Sequence, residues 1–289
     1  MIASIPDVLD VTVVGPRPDA PDLIIEIPHG ATRTADYTAL ARVLTSPLPA
    51  NLVDFFHVNT DAGAPELGLA IGEKLAGERT VAVLRCRIPR TFIDCNRRID
   101  AAPEEFRAGK VTPGLMPWIT SAEDRALLRA RYDRYVGAVN EATARLGDRG
   151  ALLLLHTYAP RSVDVEVDAD IVTNLRRAYL PEVEPTWPLR PEIDVIARGT
   201  DGTDFAPPGV VETLRSELGI PIAESATYPL HPSTLAWAHV QARPGRAVCI
   251  EVRRDLLADP FEPFAEMRIG AAKIARLVPA FVAALRRFW

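Results

Sequence analysis

Apolar residues in this chain gather into short, dense runs, and three of those runs stop at a residue that can do chemistry. Leu23, Ile24 and Ile25 lead through Glu26 and Ile27 to Pro28-His29-Gly30. Residues 151–155 are continuously apolar and run straight into His156. Ala247-Val248-Cys249-Ile250 runs straight into Glu251. Runs of this length and composition predict buried strands. In open α/β sheets, ligands collect outside the carboxyl ends of the strands. The pattern therefore predicts a reactive rim carrying His29, His156 and Glu251.

Between these runs the apolar spacing lengthens. Residues 36–45 predict a short helix stopped by Pro47 and Pro49. Residues 64–77 predict a helix with Pro65 in its first turn, which puts Asp61 just before a helix start, where the dipole favours an anion. Residues 80–88 read as a strand. Residues 121–146 have the clearest helical spacing, with Ser121 as N-cap, Glu123 and Asp124 in the first turn and Gly147 as the stop. Residues 208–218 predict a helix ended by Gly219, and residues 262–288 an amphipathic helix broken at Pro279. Residues 1–20 read as an edge strand or lead-in, and residues 53–61 as a Phe-rich strand bearing a structural His57. Residues 163–167, where valines alternate with acids, and residues 170–172 read as short exposed strands or loops. Residues 100–119, 181–209 and 227–246 read as irregular excursions, the first two placed to cover a site. Strand and helix alternate with no repeat or linker, which predicts one domain over residues 1–289, an α/β sandwich.

Composition narrows the function classes. The 289 residues are 48% apolar and 25% charged, with a net charge of -5 and both signs interspersed, which argues against a nucleic-acid footprint. No apolar run approaches the roughly 18 residues that span a bilayer. The first residues lack a basic segment and contain Asp7 and Asp10, so no secretory signal is expected. Cys86, Cys95 and Cys249 are few, odd in number and set among apolar neighbours, as reduced core residues of a cytoplasmic protein would be. No CxxC occurs, so a thiolate zinc cluster has no support. Neither GxSxG, GxGxxG nor GxxxxGK occurs, which removes the serine-elbow, dinucleotide and P-loop readings.

A mononuclear metal site fits the remaining residues. Catalytic zinc takes three nitrogen or oxygen ligands and leaves one position for water, and His29, Asp61 and His156 each stand at the end of a predicted element. A bound water that loses a proton near neutral pH attacks an amide carbonyl, and Glu251 can take and return that proton. The plain alternative is that these are separate polar residues at strand ends. After the strand at 80–88 comes Arg90…Asp94-x-Asn96-Arg97, in which the arginines offer planar bidentate donors and Asn96 a further donor for a substrate carboxylate or carbonyl. Their plain alternative is a surface ion pair between Asp94 and Arg97, worth roughly 0–1 kcal/mol.

Five blocks resemble the N-formylglutamate amidohydrolase family. They are Ile27-Pro28-His29-Gly30, Thr60-Asp61-Ala62-Gly63-Ala64, Arg90-Thr91-Phe92-Ile93-Asp94-Cys95-Asn96-Arg97, His156-Thr157-Tyr158-Ala159-Pro160 and Glu251-Val252-Arg253-Arg254-Asp255-Leu256. The resemblance spans residues 23–257 and implies the fold of zinc carboxypeptidases and aspartoacylases, a three-layer α/β/α sandwich with a mixed, mostly parallel sheet. It implies one zinc ion per chain on His29, Asp61 and His156, with Glu251 as general base. It also implies Asn96 and Arg97, with Arg90 nearby, on the side of the substrate carboxylate and the oxyanion. Arg253, Tyr228, His231 and His239 are further candidates for the substrate side, with a surface or packing role as the plain alternative for the two histidines. Cys95 has no helix start or adjacent histidine to make it a nucleophile. Two positions depart from the pattern. Thr32 stands where zinc carboxypeptidases carry the glutamate of His-x-x-Glu, so the carboxylate ligand must come from Asp61 or, failing that, Glu66. Thr157 stands where the family often has serine. The expected partner is a small carboxylate-bearing substrate, with no nucleic acid and no membrane. A silent relative that binds an acidic ligand through Arg97, and a peptidase or cell-wall amidase, are the competing functions. A closed cavity would favour small substrates, and an open groove peptides.

Overall fold

A computed structural model describes residues 2–108 and 112–289. Its strands are β1 (Leu9–Val14), β2 (Leu23–Ile27), β3 (Val81–Cys86), β4 (Ala151–Tyr158), β5 (Ile193–Val195), β6 (Ala223–Glu224) and β7 (Ala247–Arg253). Its helices are α1 (Thr34–Ala41), α2 (Val53–Asn59), α3 (Ala64–Leu75), α4 (Pro103–Ala108), α5 (Ala122–Ala144), α6 (Ile171–Ala178), α7 (Val210–Leu218), α8 (Leu235–Ala242) and α9 (Ala271–Leu285). The strands form one sheet in the order β1-β3-β2-β4-β7-β5-β6. β2, β3, β4 and β7 run parallel, β1 lies antiparallel on β3, and β5 lies antiparallel on β7. The sheet is thus mixed and mostly parallel.

Helices cover both faces. Ile24, Leu152, Leu154 and Cys249 face a core shared with residues of α1, α2, α5, α6 and α8. Leu23, Ile25, Ile27, Leu153, Leu155 and Ile250 face a second core under α3, α7 and α9. Central strands covered on both sides must be apolar on both sides, which is why they read as continuous runs. Each fully buried Leu or Ile there stabilises the fold by roughly 1.5–3 kcal/mol.

Several sequence expectations change. The irregular stretch 181–209 holds β5, and the closing helix begins at Ala271 and not at residue 262. Residues 53–59 form α2 and not a strand; Asp54, Phe55, Phe56, His57 and Val58 are all buried, and an element sealed all round shows no telling period. Residues 170–172 open α6, whose Ile171, Val172, Leu175 and Ala178 are buried at helical spacing. The region 227–246 holds α8, capped by Thr234, whose hydroxyl accepts from the Trp237 amide at 3.2 Å. Pro279 does not break α9. Ala275 and Pro279 both face solvent, so the carbonyl that loses its helical partner is open to water. The region 100–119 contains α4, and its residues 109–111 lie outside the described residues.

Candidate metal centre and the cavity around it

The three runs picked out by the sequence are neighbours in the middle of the sheet. β2, β4 and β7 lie side by side and parallel, and their register sets His156 beside Glu251. By alternation both side chains lie on the face of Leu154 and Cys249, over the core that includes α2 and α6. His29 sits two residues past β2. Asp61 comes from the turn between α2 and α3. That turn is tied down by the Thr60 hydroxyl, which donates to the Ala31 carbonyl at 2.7 Å, and by the Thr157 hydroxyl, which donates to the Ala62 carbonyl at 3.0 Å. Gly63 then starts α3 with φ +90, and a Cβ there would lie 2.8 Å from Leu257, so this tight turn requires glycine.

His29 Nδ1 lies 3.3 Å from Asp61 Oδ2, His156 Nδ1 lies 3.0 Å from the same oxygen, and the two Nδ1 atoms are 3.3 Å apart. All three residues are buried, at 3%, 1% and 2% exposure for His29, Asp61 and His156. Two imidazole nitrogens and a carboxylate oxygen converging in this way repel unless a proton or cation lies among them. A tetrahedral ion with ligands at about 2.0–2.1 Å holds them about 3.3 Å apart, so the donor set fits a zinc-like metal. Burial opposes the Asp61 charge, but His29 and His156 beside it hold its carboxyl below the usual range. Glu66, the alternative carboxylate, is turned to Arg33, whose guanidinium donates at 2.6 Å.

Asp94 is the residue whose importance the sequence understated. It is fully buried, and the surface-pair alternative is wrong for it. His29 Nε2 lies 2.7 Å from its Oδ1, which also accepts from the Asn96 amide at 2.9 Å; Oδ2 accepts from Arg90 at 2.9 Å and faces Arg97 at 3.3 Å. Burial opposes this charge too, but Arg97, His29 and Arg90 hold the carboxyl well below its ordinary value. A carboxylate on the far nitrogen of a metal-ligating imidazole orients the ring and raises its basicity.

Around this centre lies a cavity of about 940 Å³. Its wall includes Arg90, Asn96, Arg97, Tyr228, Glu251 and Arg254. Six buried side-chain polar atoms lack a partner among the described residues, and five belong to residues of this wall: Arg90 Nε, His156 Nε2, Thr227 Oγ1, Glu251 Oε2 and Arg254 Nε. Native proteins leave few such atoms unsatisfied, so their gathering in one cavity marks a place for a ligand. Burial pushes the Glu251 carboxyl up to about 7, with His156 opposing and Asp61 adding to the rise.

The structure spreads the other candidates unevenly. The Asn96 side-chain oxygen accepts from the Ala236 amide at 3.0 Å at the start of α8, which leaves its amide nitrogen to donate. Arg97 already donates to the Thr112 and Asn96 carbonyls. Tyr228 lines the cavity under the Arg190 guanidinium. His231 and Arg253 are not on the cavity wall. His231 Nδ1 is held by Ser233, and Arg253 ties β7 to Asp255, Glu192 and the Arg190 carbonyl. His239 lies 3.7 Å from the buried Glu26, and burial pushes the Cys95 thiol well up. Arg254 was missed because the strand pattern points past it. β7 ends at Arg253 and the chain turns into a 3₁₀ turn at Arg254, which breaks the alternation and brings Arg254 to the cavity.

N-formylglutamate amidohydrolase from Ralstonia eutropha JMP134 superposes with a TM-score of 0.54 at 19% identity, over 96% of each chain. This chain has the fold of that amidohydrolase. A gene product of Agrobacterium tumefaciens superposes with a TM-score of 0.51 at 18% identity, over 96% of this chain and 95% of its own. No family model and no curated protein matches the sequence. Among the described residues no helix is long and apolar enough to cross a membrane.

Proposed function

We propose that the chain is a metal-dependent amidohydrolase that cleaves the amide bond of a small N-acyl amino acid of N-formyl type, or of a related carboxylate-bearing compound. The observation that carries this reading is the convergence of His29, Asp61 and His156 beside a cavity walled by unpartnered polar atoms. These three residues would hold one zinc ion, which when bound supplies Lewis acidity and brings the pKa of a coordinated water toward neutrality. Asp94 fixes the His29 ring. Glu251, titrating near neutrality with Oε2 free, takes a proton from the attacking water and returns it to the leaving nitrogen. The Asn96 amide nitrogen and the Arg90 Nε donate to the substrate carbonyl or carboxylate, and Arg97 adds positive charge on that side. The fold shared with an N-formylglutamate amidohydrolase supports the reading.

Elemental analysis of the purified protein and of His156→Ala, both dialysed without chelator, tests it. The expected result is about one zinc per chain in the parent and a loss in the variant, followed by turnover of N-formyl or N-acetyl amino acids by the parent. No metal in either protein after zinc addition overturns the metal mechanism. Metal without turnover of any such substrate leaves a ligand-binding protein on a hydrolase-like fold.

A further inference from the structure

The alternating stretch Val163-Asp164-Val165-Glu166-Val167 is not used by the reading above. It begins five residues after the end of β4, and all five residues line the cavity. The valines are half-buried against the core and the acids are exposed, the period-two pattern of an extended strand with one buried face. Among the described residues, none of its N–H or C=O groups makes a hydrogen bond. The stretch is nonetheless held at both ends. The Ser162 amide donates to the Pro188 carbonyl at 2.9 Å and the Ser162 hydroxyl accepts from Arg190. At the other end the Asp168 carbonyl and carboxylate accept from the Ile171 and Asp170 amides, at the start of α6. A segment whose burial alternates with the period of a strand, fixed at its ends and unpaired between them, offers a template for another strand.

From these facts we infer that the stretch 163–167 is a strand edge on which the acyl half of the substrate lies as an extended peptide, so that the amide cleaved joins a peptidyl chain to a carboxylate-bearing residue. The inference rests on the amidohydrolase reading and, of its two substrate classes, takes the related carboxylate-bearing compound over the N-formyl amino acid. Two observations favour a peptidyl occupant over a bare acyl group. The cavity of about 940 Å³ stands at the upper end of the roughly 300–1,000 Å³ that holds drug-sized ligands, far more room than a formyl group on one amino acid fills. Five residues with the spacing of a strand would also present donors and acceptors over about 13 Å, a repeat that a peptide backbone matches and a hydrocarbon acyl chain does not.

The test is kcat/KM of the zinc-loaded enzyme on a length series. N-acetyl amino acid is compared with N-acetyl-Ala-, N-acetyl-Ala-Ala- and N-acetyl-Ala-Ala-Ala- extensions of the same C-terminal residue. Each ladder hydrogen bond gained is expected to raise kcat/KM about fivefold, with a plateau once the edge is covered. N-methylation of alternate amides should cancel the gain at every second position. Val165→Pro removes a donor on one edge of the stretch and Glu166→Pro a donor on the other, so one of the two variants should lower the ratio of long to short substrate and its companion should not. The same length dependence is expected in dissociation constants measured with Glu251→Gln. Turnover of N-acetyl amino acids with no gain on extension overturns the inference and leaves the amidohydrolase reading standing. Absence of turnover across the whole series, with zinc bound, overturns both.

Discussion

Replacing Asp94 with asparagine removes one negative charge from the point where an imidazole and two guanidinium groups meet. The charge is lost from the contact to His29 Nε2 at 2.7 Å, and an amide NH₂ replaces the oxygen that faces Arg90 at 2.9 Å and Arg97 at 3.3 Å. Removing one partner of a buried ion pair costs about 3–5 kcal/mol. Part of that is offset here. Arg90 keeps Asp61 at 3.7 Å, Arg97 keeps the Thr112 and Asn96 carbonyls, and an asparagine oxygen can still accept from the Asn96 amide. The expected loss for metal-free protein is therefore about 2–4 kcal/mol, read as a drop in the urea midpoint with an unchanged slope. Zinc affinity, measured by competition with a chromophoric chelator, should fall about 10–100-fold because the His29 ring keeps only a neutral amide oxygen in place of a charged acceptor. Asp133→Asn is the control: Asp133 pairs with Arg129 in solvent, at 56% and 46% exposure, and its loss should cost under about 1 kcal/mol. A zinc affinity within twofold of the parent, with the urea midpoint unmoved, would refute the idea that Asp94 orients His29 and neutralises the arginines.

Asp61→Asn should lose zinc in elemental analysis, while Glu66→Gln should retain it, since Glu66 faces Arg33 and not the histidines; the reverse result would make Glu66 the ligand. Glu251 gives metal-free protein a pH dependence of known sign. Its folded pKa of about 7 lies above the ordinary 4.5, so the folded state holds a proton that the unfolded chain releases between those values. Stability from this group is therefore full below pH 4.5 and is lost as pH rises through 7, on the order of 3 kcal/mol. Urea titrations of Glu251→Gln should lack that fall, and an identical slope in parent and variant would contradict it. Asp94 acts in the opposite sense: its depressed pKa supports the fold above pH 3.8 and that support is lost on acidification, so Asp94→Asn should flatten the acid limb of the stability curve. Gly63→Ala combines a left-handed φ with a Cβ 2.8 Å from Leu257 and should cost roughly 2–4 kcal/mol by thermal or urea melting; a loss under about 0.5 kcal/mol would mean the turn adjusts freely.

By itself the amino-acid sequence determined the strands that matter and the residues at their ends. Runs such as residues 151–155 are apolar throughout because they are covered on both faces, and that burial requirement is local enough to read without a structure. The same is true of Gly219 as a helix stop and Ser121 as a helix cap, where one residue's backbone preference or side-chain oxygen does the work. The sequence could name His29, Asp61, His156 and Glu251, but not show that they meet. Their meeting depends on strand order and register, with β2, β4 and β7 adjacent, and these follow from pairings between residues far apart in the chain. Tertiary structure also decided the elements whose local signal was silent or misleading: α2, sealed on all sides, and α9, which keeps its course through Pro279 because that face is open to water. It separated Arg254 from Arg253 by ending β7 at Arg253 and turning the chain into a 3₁₀ turn. And it turned Asp94 from half of a surface ion pair into the buried carboxylate behind His29, because burial belongs to the whole packed chain, and a charge is worth what its surroundings make it.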